Sequence, residues 1–215
     1  MDRARRVRFN SNFDLFQSPA AKRRDTLFLE MAPEGLAPEE IPVGFRGTVP
    51  EYVAAVQRLG AQLFELLSEA LGLPVGHLGR DTGCVDGLSV VAHYYPACPE
   101  PHLTADAGHY PALGLRLPDR VVAGHGYGGT AGAPQAGLVS NDRLKSVEHR
   151  VVASGVGSRV SVACFFLPPY ASTRAYGPIV IASGSNDARP APVYRSTTAA
   201  EFLELCPVGA GALQA

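Results

Sequence analysis

One change of hydrophobic period constrains the fold of this chain more than any other feature of the sequence. Apolar residues recur at helical spacing from roughly residue 49 to residue 71, and Gly72 and Pro74 then end the pattern. From residue 88 onward, β-branched and aromatic runs bounded by Pro and Gly are typical of strands. A long helix followed by short strands predicts an α+β fold, a sheet sandwich or jelly roll backed by that helix.

The predicted helix carries its own start signal. Thr48 stands at the N-cap position, Pro50 lies in the first turn and Glu51 occupies N3, which together form a capping-box pattern. About six turns follow, and their apolar positions share one side of the helix: Val53, Val56, Leu59, Leu63, Leu66, Leu67 and Ala70. We expect this side to pack on a sheet, and we assign the helix a supporting role without chemistry.

Strand signals surround this helix. The clearest runs are LSVVAHYY (88–95), KSVEHRVVA (145–153) and SRVSVACFF (158–166). Residues 7–16 place apolar side chains at alternate positions, which predicts an extended, half-buried segment. Residues 32–47 are rich in Pro, Gly and Glu and predict a loop.

Charge and composition exclude several classes of function. The 215 residues carry 19 basic and 20 acidic side chains, a net charge of −1, which leaves no electrostatic footprint for nucleic acid. No apolar stretch reaches the ~20 residues that a membrane span needs, and the start MDRARRVRFN lacks the apolar segment of a secretory signal. The four cysteines are scattered, so we expect reduced thiols in a cytoplasmic protein: Cys84, Cys98, Cys164 and Cys206.

The last two strand runs carry the residues that could perform chemistry. Alternation places His149 among valines, and it places Arg159 and Ser161 on the same strand face as Phe165. A buried Arg is rare unless it is paired, so one interpretation is a carboxylate held by the guanidinium fork and the hydroxyl. The alternative is an Arg159 side chain that reaches solvent at the strand end, beside a His149 whose hydrogen bonds are satisfied in the core.

Several strings in the chain resemble the plant Fe(II)/2-oxoglutarate-dependent dioxygenases. His149, with Arg159 ten residues later and then Ser161, resembles the C-terminal signature of that family, and HYYPACPEPHLT (93–104) resembles its N-Y-Y-P segment. Further similar strings are FNSNFDLFQSPAAKRRDTLFLEMAP, NDRLKSVEHRVVA, RVSVACFFLP, STRAYGPI and VYRSTTAAEFLE. The subgroup that looks most similar is that of the 1-aminocyclopropane-1-carboxylate oxidase homologues, which includes a dioxygenase of benzoxazinoid biosynthesis.

The resemblance implies a fold, a chemistry and a set of site residues. The fold is a distorted, cupin-like double-stranded β-helix that holds a non-haem Fe(II). 2-Oxoglutarate and O2 are cosubstrates, ascorbate is a candidate accessory reductant, and a small molecule of plant specialised metabolism is oxidised. His149 corresponds to the distal iron ligand, and Arg159, Ser161 and Tyr95 correspond to the group that binds 2-oxoglutarate. His93 stands where the family commonly has Asn.

The chain departs from the family pattern where the first two iron ligands are expected. The family has H-x-D there, whereas His109 is followed by Tyr110 and Pro111, and proline cannot ligate iron. We keep His109 as a second candidate metal ligand. Neither Asp106 nor Asp119 has the spacing that would place its carboxylate on the same strand face as that histidine.

This departure falls in residues 105–137, which are rich in Gly, Ala and Pro. Strand alternation is almost absent from the stretch, and a structureless stretch of this length is unusual inside a compact domain. A shifted reading frame or an altered splice is a hypothesis that accounts for both observations. The family's N-terminal domain also has no counterpart before Met1.

These observations divide the chain and leave three rival functions. Residues 86–169 are expected to form the oxygenase-like jelly-roll core, residues 1–85 its N-terminal support and residues 170–215 a C-terminal extension. The chain is an oxidoreductase of this family, an inactive remnant without a complete iron site, or a jelly-roll binding module without redox chemistry. In each case the expected partner is a small molecule, and the sequence predicts no oligomeric state.

Overall fold

The computed structural model describes residues 5–11, 24–101, 134–144, 153–166, 172–179 and 191–205. Its strands are β1 (Val7–Ser11), β2 (Asp25–Ala32), β3 (Leu88–Tyr95), β4 (Arg159–Phe165), β5 (Ala175–Tyr176) and β6 (Thr197–Thr198). Its α-helices are α1 (Val49–Ala70), α2 (Pro134–Ser140) and α3 (Ala199–Leu205). A 3-10 turn spans Val43–Phe45, and a π-helical turn spans His77–Asp81.

Strands β1 to β4 form one antiparallel sheet in the order β1-β2-β3-β4. Strand β3 pairs on one side with β2, where Leu27 lies opposite Ala92, and on the other side with β4, where Val91 lies opposite Ala163. Directly opposite residues of an antiparallel pair share one face of the sheet. The register therefore decides which side chains meet α1 and which point away from it.

The core lies between one face of this sheet and helix α1. Leu29, Val90 and Cys164, from three neighbouring strands, are buried in one cluster with helix residues such as Phe64. Phe166, which follows β4, packs edge to face against Phe64, with ring centroids 5.6 Å apart and ring planes at 89°. This contact closes the core between the helix and the end of β4.

A glycine in the middle of α1 allows the Phe166 ring to approach the helix. A Cβ atom at Gly60 would overlap the end of that ring. Glycine costs a helix interior about 1 kcal/mol relative to alanine. The close approach of Phe166 is therefore the reason that a glycine is accommodated at this position.

Helix α1 confirms the predicted span but not the predicted capping box. The helix covers Val49–Ala70, against the prediction of residues 49 to 71. Thr48 is the N-cap residue, but its side chain makes no capping hydrogen bond, so that prediction is wrong. A capping threonine normally has backbone angles of the β region. Thr48 has helical angles (φ −101°, ψ −38°), and its N–H donates to the Phe45 carbonyl at 3.1 Å, which continues the preceding 3-10 turn.

The buried side of α1 is also rotated from the predicted one. Val53 is buried as expected, whereas Leu59 and Leu66 are 46% and 59% exposed and Ala70 is exposed too. Ser68 takes a buried place instead. Its hydroxyl donates to a carbonyl of the preceding turn at 2.7 Å and accepts an N–H of the π-helical turn at 3.1 Å. These two bonds satisfy a polar side chain that a hydrophobic pattern would place in solvent.

Two of the three predicted strand runs fall among the described residues, and both are confirmed. The run 88–95 is β3, and the run 158–166 contains β4, whereas residues 145–152 lie outside the described ranges. Of the extended segment predicted over residues 7–16, the structure describes residues 7–11, which form strand β1. Val7 in that strand is half-buried, but Phe9 is 67% exposed.

The remaining expectations about the chain have mixed outcomes. The loop predicted over residues 32–47 follows β2 and contains one 3-10 turn. Of the Gly-rich stretch, residues 105–133 lie outside the described ranges, and the next residues begin α2. Cys84, Cys98 and Cys164 form no disulfide, and Cys206 lies outside the described residues. In the described ranges, no helix combines the length and the apolar character of a membrane span.

Three successive side chains after α2 form a junction, residues 141–143, with two distant parts of the chain. Both ends of the Asn141 amide bind the segment 191–193, at 2.7 Å to an N–H and 3.1 Å to a carbonyl. The Tyr194 hydroxyl donates to the Asp142 carboxylate, at 2.9 and 3.0 Å. Arg143 donates to carbonyls at the C-terminal end of α1, at 2.9 and 3.4 Å. The junction therefore ties α1, α2 and the C-terminal segment together.

Replacing Tyr194 with phenylalanine is expected to make the alkaline loss of stability less steep. Burial, and then the hydrogen bond and the charge of Asp142, raise the pKa of Tyr194 above its usual value. A raised pKa in the folded state contributes stability that is complete below the unfolded value of about 10 and is lost as pH rises through the folded value. Urea unfolding at neutral pH and above about pH 10 measures the difference.

The matched control is Tyr94→Phe, because Tyr94 is 43% exposed. The bond between Tyr194 and Asp142 is intact in this variant, so the alkaline slope of the wild type should be retained. An equal alkaline slope in the wild type and in Tyr194→Phe would contradict the assignment of this bond.

Candidate anion-binding site

The face of the sheet that points away from α1 carries a group of polar side chains on β3 and β4. Tyr95 lies directly opposite Arg159, and His93 lies directly opposite Ser161. Because Val90 and Cys164 of the same strands point into the helix-facing core, their sequence neighbours alternate to the other face. The predicted sharing of one face by Arg159 and Ser161 is thereby confirmed, with Tyr95 and His93 added to it.

Arg159 is held against the ring of Tyr95. Its guanidinium carbon lies 4.2 Å from the ring centroid, within the range of a cation–π interaction. Its Nη2 atom is buried and has no hydrogen-bond partner in the part of the chain that the structure describes. A buried, charged N–H donor without an acceptor is costly. This end of the guanidinium is therefore suited to an anion, and a carboxylate matches its geometry.

Ser161 brings a hydroxyl to the same place. The residue is 2% exposed and stands two positions after Arg159 on β4, so both side chains leave the strand in the same direction. A buried hydroxyl beside the buried Nη2 atom of a guanidinium can donate a second hydrogen bond to one carboxylate. The solvent-reaching alternative for Arg159 is not favoured, because the terminal Nη2 atom is buried.

His93 is fixed from the neighbouring strand. Its Nδ1 atom lies 3.0 Å from the hydroxyl oxygen of Thr26, its register partner on β2. Its ring centroid lies 5.8 Å from that of Tyr95, with the two planes tilted by 54°. Sequence reasoning did not find Thr26, because the string that contains it was not assigned to a strand and its partner lies 67 positions away.

Comparison with known protein families matches the segment that contains β3 and β4, the two strands that carry the polar group. The profile of the 2OG-Fe(II) oxygenase superfamily matches residues 87–168. The 1-aminocyclopropane-1-carboxylate oxidase homolog 1 of Arabidopsis thaliana is 41% identical over 222 residues, which cover 94% of this chain and 60% of the relative. The segment 87–168 is a domain of the 2OG-Fe(II) oxygenase superfamily. The resemblance found in the sequence strings is thereby confirmed.

Other relatives match a similar share of this chain and of their own length. Homolog 3 of Arabidopsis thaliana is 41% identical, over 94% of this chain and 58% of its own length. A homolog from Solanum lycopersicum is 36% identical, over 92% of this chain and 59% of its own length. The chain thus spans about three-fifths of the length of these relatives.

Solved structures of this superfamily share the fold. The crystal structure of JOX2 in complex with 2OG, Fe and JA superposes with a TM-score of 0.67 at 24% identity, covering 85% of this chain and 60% of JOX2. The crystal structure of the dioxygenase for auxin oxidation in rice gives a TM-score of 0.59 at 17% identity, covering 95% of this chain and 75% of the rice protein. The antiparallel sheet with its supporting helix is therefore part of an oxygenase-type fold.

The two histidines predicted as iron ligands, His109 and His149, lie outside the described residues. Among the residues that are described, no cluster of three or more His, Cys, Asp or Glu side chains could hold a metal ion. The described part of the candidate site is thus the group formed by Arg159, Ser161 and Tyr95, which is suited to an anion.

A separate apolar cavity lies on the other side of the sheet formed by β1 to β4. It is bounded by α1, α2 and the C-terminal segment, with Phe64, Leu138, Phe166 and Phe202 in its wall. None of the described residues that line it is charged. Burial raises the pKa of the Cys84 thiol, which also lines it, above its usual value. The described lining thus offers no charged group to a carboxylate, and the cavity is distinct from the anion-binding site.

Proposed function

We propose that this chain is the oxygenase portion of an Fe(II)- and 2-oxoglutarate-dependent dioxygenase that oxidises a small molecule of plant specialised metabolism. The single observation that carries the proposal is the buried Nη2 atom of Arg159, which has no hydrogen-bond partner among the described residues. Superfamily membership names a dicarboxylate, 2-oxoglutarate, that would use such a donor. Residues 86–169 form the proposed double-stranded β-helix core, with 1–85 as its support and 170–215 as an extension.

Each residue of the anion-binding site has its own task in this proposal. Arg159 binds the carboxylate of 2-oxoglutarate that lies farther from the metal, through two parallel N–H donors. Ser161 donates its hydroxyl to the same carboxylate, and its position in β4 fixes the direction of that bond. Tyr95 supports the guanidinium with its ring face, so that the fork is oriented before the ligand arrives.

Iron would be held by His149, with His109 as the second proposed ligand. Bound iron supplies the activation of O2 that is coupled to decarboxylation of 2-oxoglutarate to succinate. Pro111 stands where the family has a carboxylate ligand, so two histidines are the protein ligands that the sequence offers. A site with fewer anionic ligands holds a divalent cation less tightly, and we expect iron affinity to be low.

The proposal is tested by separating three measurements on the purified chain. Anaerobic addition of Fe(II) and 2-oxoglutarate should give a visible charge-transfer band that is lost in His149→Ala. A protein that gives this band should also release succinate when the same mixture is exposed to air. Binding of 2-oxoglutarate without metal, measured by calorimetry, reports the anion-binding site alone.

The outcomes distinguish the rival functions. No band and no succinate would reject the dioxygenase. If carboxylate binding then persists and depends on Arg159, the chain is a binding module; if it is absent too, the chain is an inactive remnant of the family.

A further inference from the structure

The anion-binding site contains four polar side chains rather than the three that bind 2-oxoglutarate in the proposal. The cross-strand pairs Tyr95–Arg159 and His93–Ser161 are adjacent on β3 and β4, so the four side chains form the corners of one block. Directly opposite residues have Cβ atoms about 4.5–5.5 Å apart. A carboxylate bound by Arg159 and Ser161 therefore lies within reach of the electrostatic field of His93.

The imidazole of His93 is held in place from β2. Its Nδ1 lies 3.0 Å from the Thr26 hydroxyl oxygen, and its ring lies beside that of Tyr95 with centroids 5.8 Å apart. The bond to Thr26 can form with either protonation state, because a threonine hydroxyl both donates and accepts. Gain of a proton by the ring is therefore compatible with the observed position of His93.

The charges that face His93 from the described strands are mostly positive. Arg159 stands diagonally across on β4, and Arg24 lies directly before β2, opposite Tyr95 by continuation of the register. Arg8 on β1 shares this face and stacks on Phe28, whose ring centroid is 3.9 Å from the guanidinium carbon.

Further described residues share this face, and Glu30 of β2 and Arg6, which stands opposite it before β1, lie farther along the sheet. Glu30 near the end of β2 is the described carboxylate that alternation places on the same face. Asn10 of β1, opposite Thr26, is uncharged. Without a ligand, the nearby guanidinium groups oppose a positive imidazole, whereas a bound dianion favours it.

We infer that His93 binds a proton from the solvent when the dicarboxylate binds, so that it acts as a fourth, positively charged member of the anion-binding site. This inference rests on the proposed 2-oxoglutarate site. It makes His93 a positioning residue whose contribution depends on pH. An opposite charge within ~4–6 Å shifts the pKa of a titrating group by about 1–3 units. Because proton uptake is then coupled to ligand binding, 2-oxoglutarate should bind about tenfold more tightly near pH 6 than near pH 8.

Two measurements on the whole chain test this inference with metal-free 2-oxoglutarate as the probe. Calorimetry gives the dissociation constant at several pH values, and in buffers of different ionisation enthalpy it counts the protons taken up. NMR follows the imidazole resonance that is missing in His93→Asn, with and without ligand. We expect that resonance to titrate at a higher pH in the presence of 2-oxoglutarate.

The variants separate failure of this inference from failure of the site itself. His93→Asn cannot titrate and should bind with a nearly pH-independent dissociation constant. Thr26→Val, which keeps the imidazole but removes its hydroxyl partner, should weaken the pH dependence if His93→Asn does not fold. An unchanged pH dependence in His93→Asn, with binding still lost in Arg159→Ala, overturns the role of His93 alone. Binding that Arg159→Ala leaves unchanged overturns the proposed site and this inference with it.

Discussion

Arg159→Ala is expected to weaken binding of 2-oxoglutarate by at least about 30-fold. Truncating one partner of a buried, charged hydrogen-bonded pair costs about 2–5 kcal/mol, and each 1.4 kcal/mol is about tenfold in affinity. The Nη2 atom is already buried in the described structure, so little of the desolvation remains to be done when the ligand binds. Arg159→Lys keeps the charge but loses the planar fork, so its affinity for 2-oxoglutarate should lie between those of the wild type and Arg159→Ala.

Calorimetry with the whole chain measures this loss, and another arginine provides a matched control. Arg195 pairs with Glu201 at 2.8 Å in an exposed ion pair far from the candidate site in the sequence. Exposed ion pairs contribute little to stability, so Arg195→Ala should leave the dissociation constant unchanged. Equal affinities for Arg159→Ala and Arg195→Ala would remove Arg159 from the ligand site.

Phe166→Ala is expected to lower the free energy of unfolding by about 3–5 kcal/mol. The side chain is 3% exposed and packs edge to face on Phe64. Its ring also fills the space above Gly60, which has no side chain of its own to replace it. The cavity left by the substitution would join the apolar cavity that Phe166 already lines, so we expect little compensating collapse.

Urea unfolding monitored by circular dichroism measures this change. Phe45→Ala is the matched control, because Phe45 is 48% exposed and should alter stability by at most about 0.5 kcal/mol. Phe166→Leu refills part of the space and should lose less stability than Phe166→Ala. The same loss for the variants at positions 45 and 166 would show that the core contact does not form.

Local sequence patterns predict the part of the site that lies within one strand. The spacing of Arg159 and Ser161 is enough to put them on one face, because strand alternation depends on nothing else. The contact between Thr26 and His93 could not be predicted in this way, since it requires the register of two strands that are 67 residues apart. Strand β2 itself has apolar side chains on both faces, with Leu29 in the core and Phe28 under Arg8, and therefore lacks a period of two.

The helix shows the same limit at a smaller scale. The span of α1 follows from its apolar spacing, but the backbone of Thr48 is determined by the turn before it, and a capping-box pattern contains no information about that turn. Ser68 is buried because two backbone groups use its hydroxyl. Such a partner is visible only after the π-helical turn has been placed next to α1.

Alternation along β3 and β4 has an evolutionary consequence, because one residue serves the core and the next serves the ligand. A point substitution at Tyr95 or Arg159 would remove a proposed ligand contact without touching Val90 or Cys164 in the core. Insertion or deletion of a single residue in either strand would exchange the two faces and destroy both functions together. Descendants of such a chain can thus lose the chemistry by substitution and remain folded, whereas the lengths of these strands are held by selection on the fold itself.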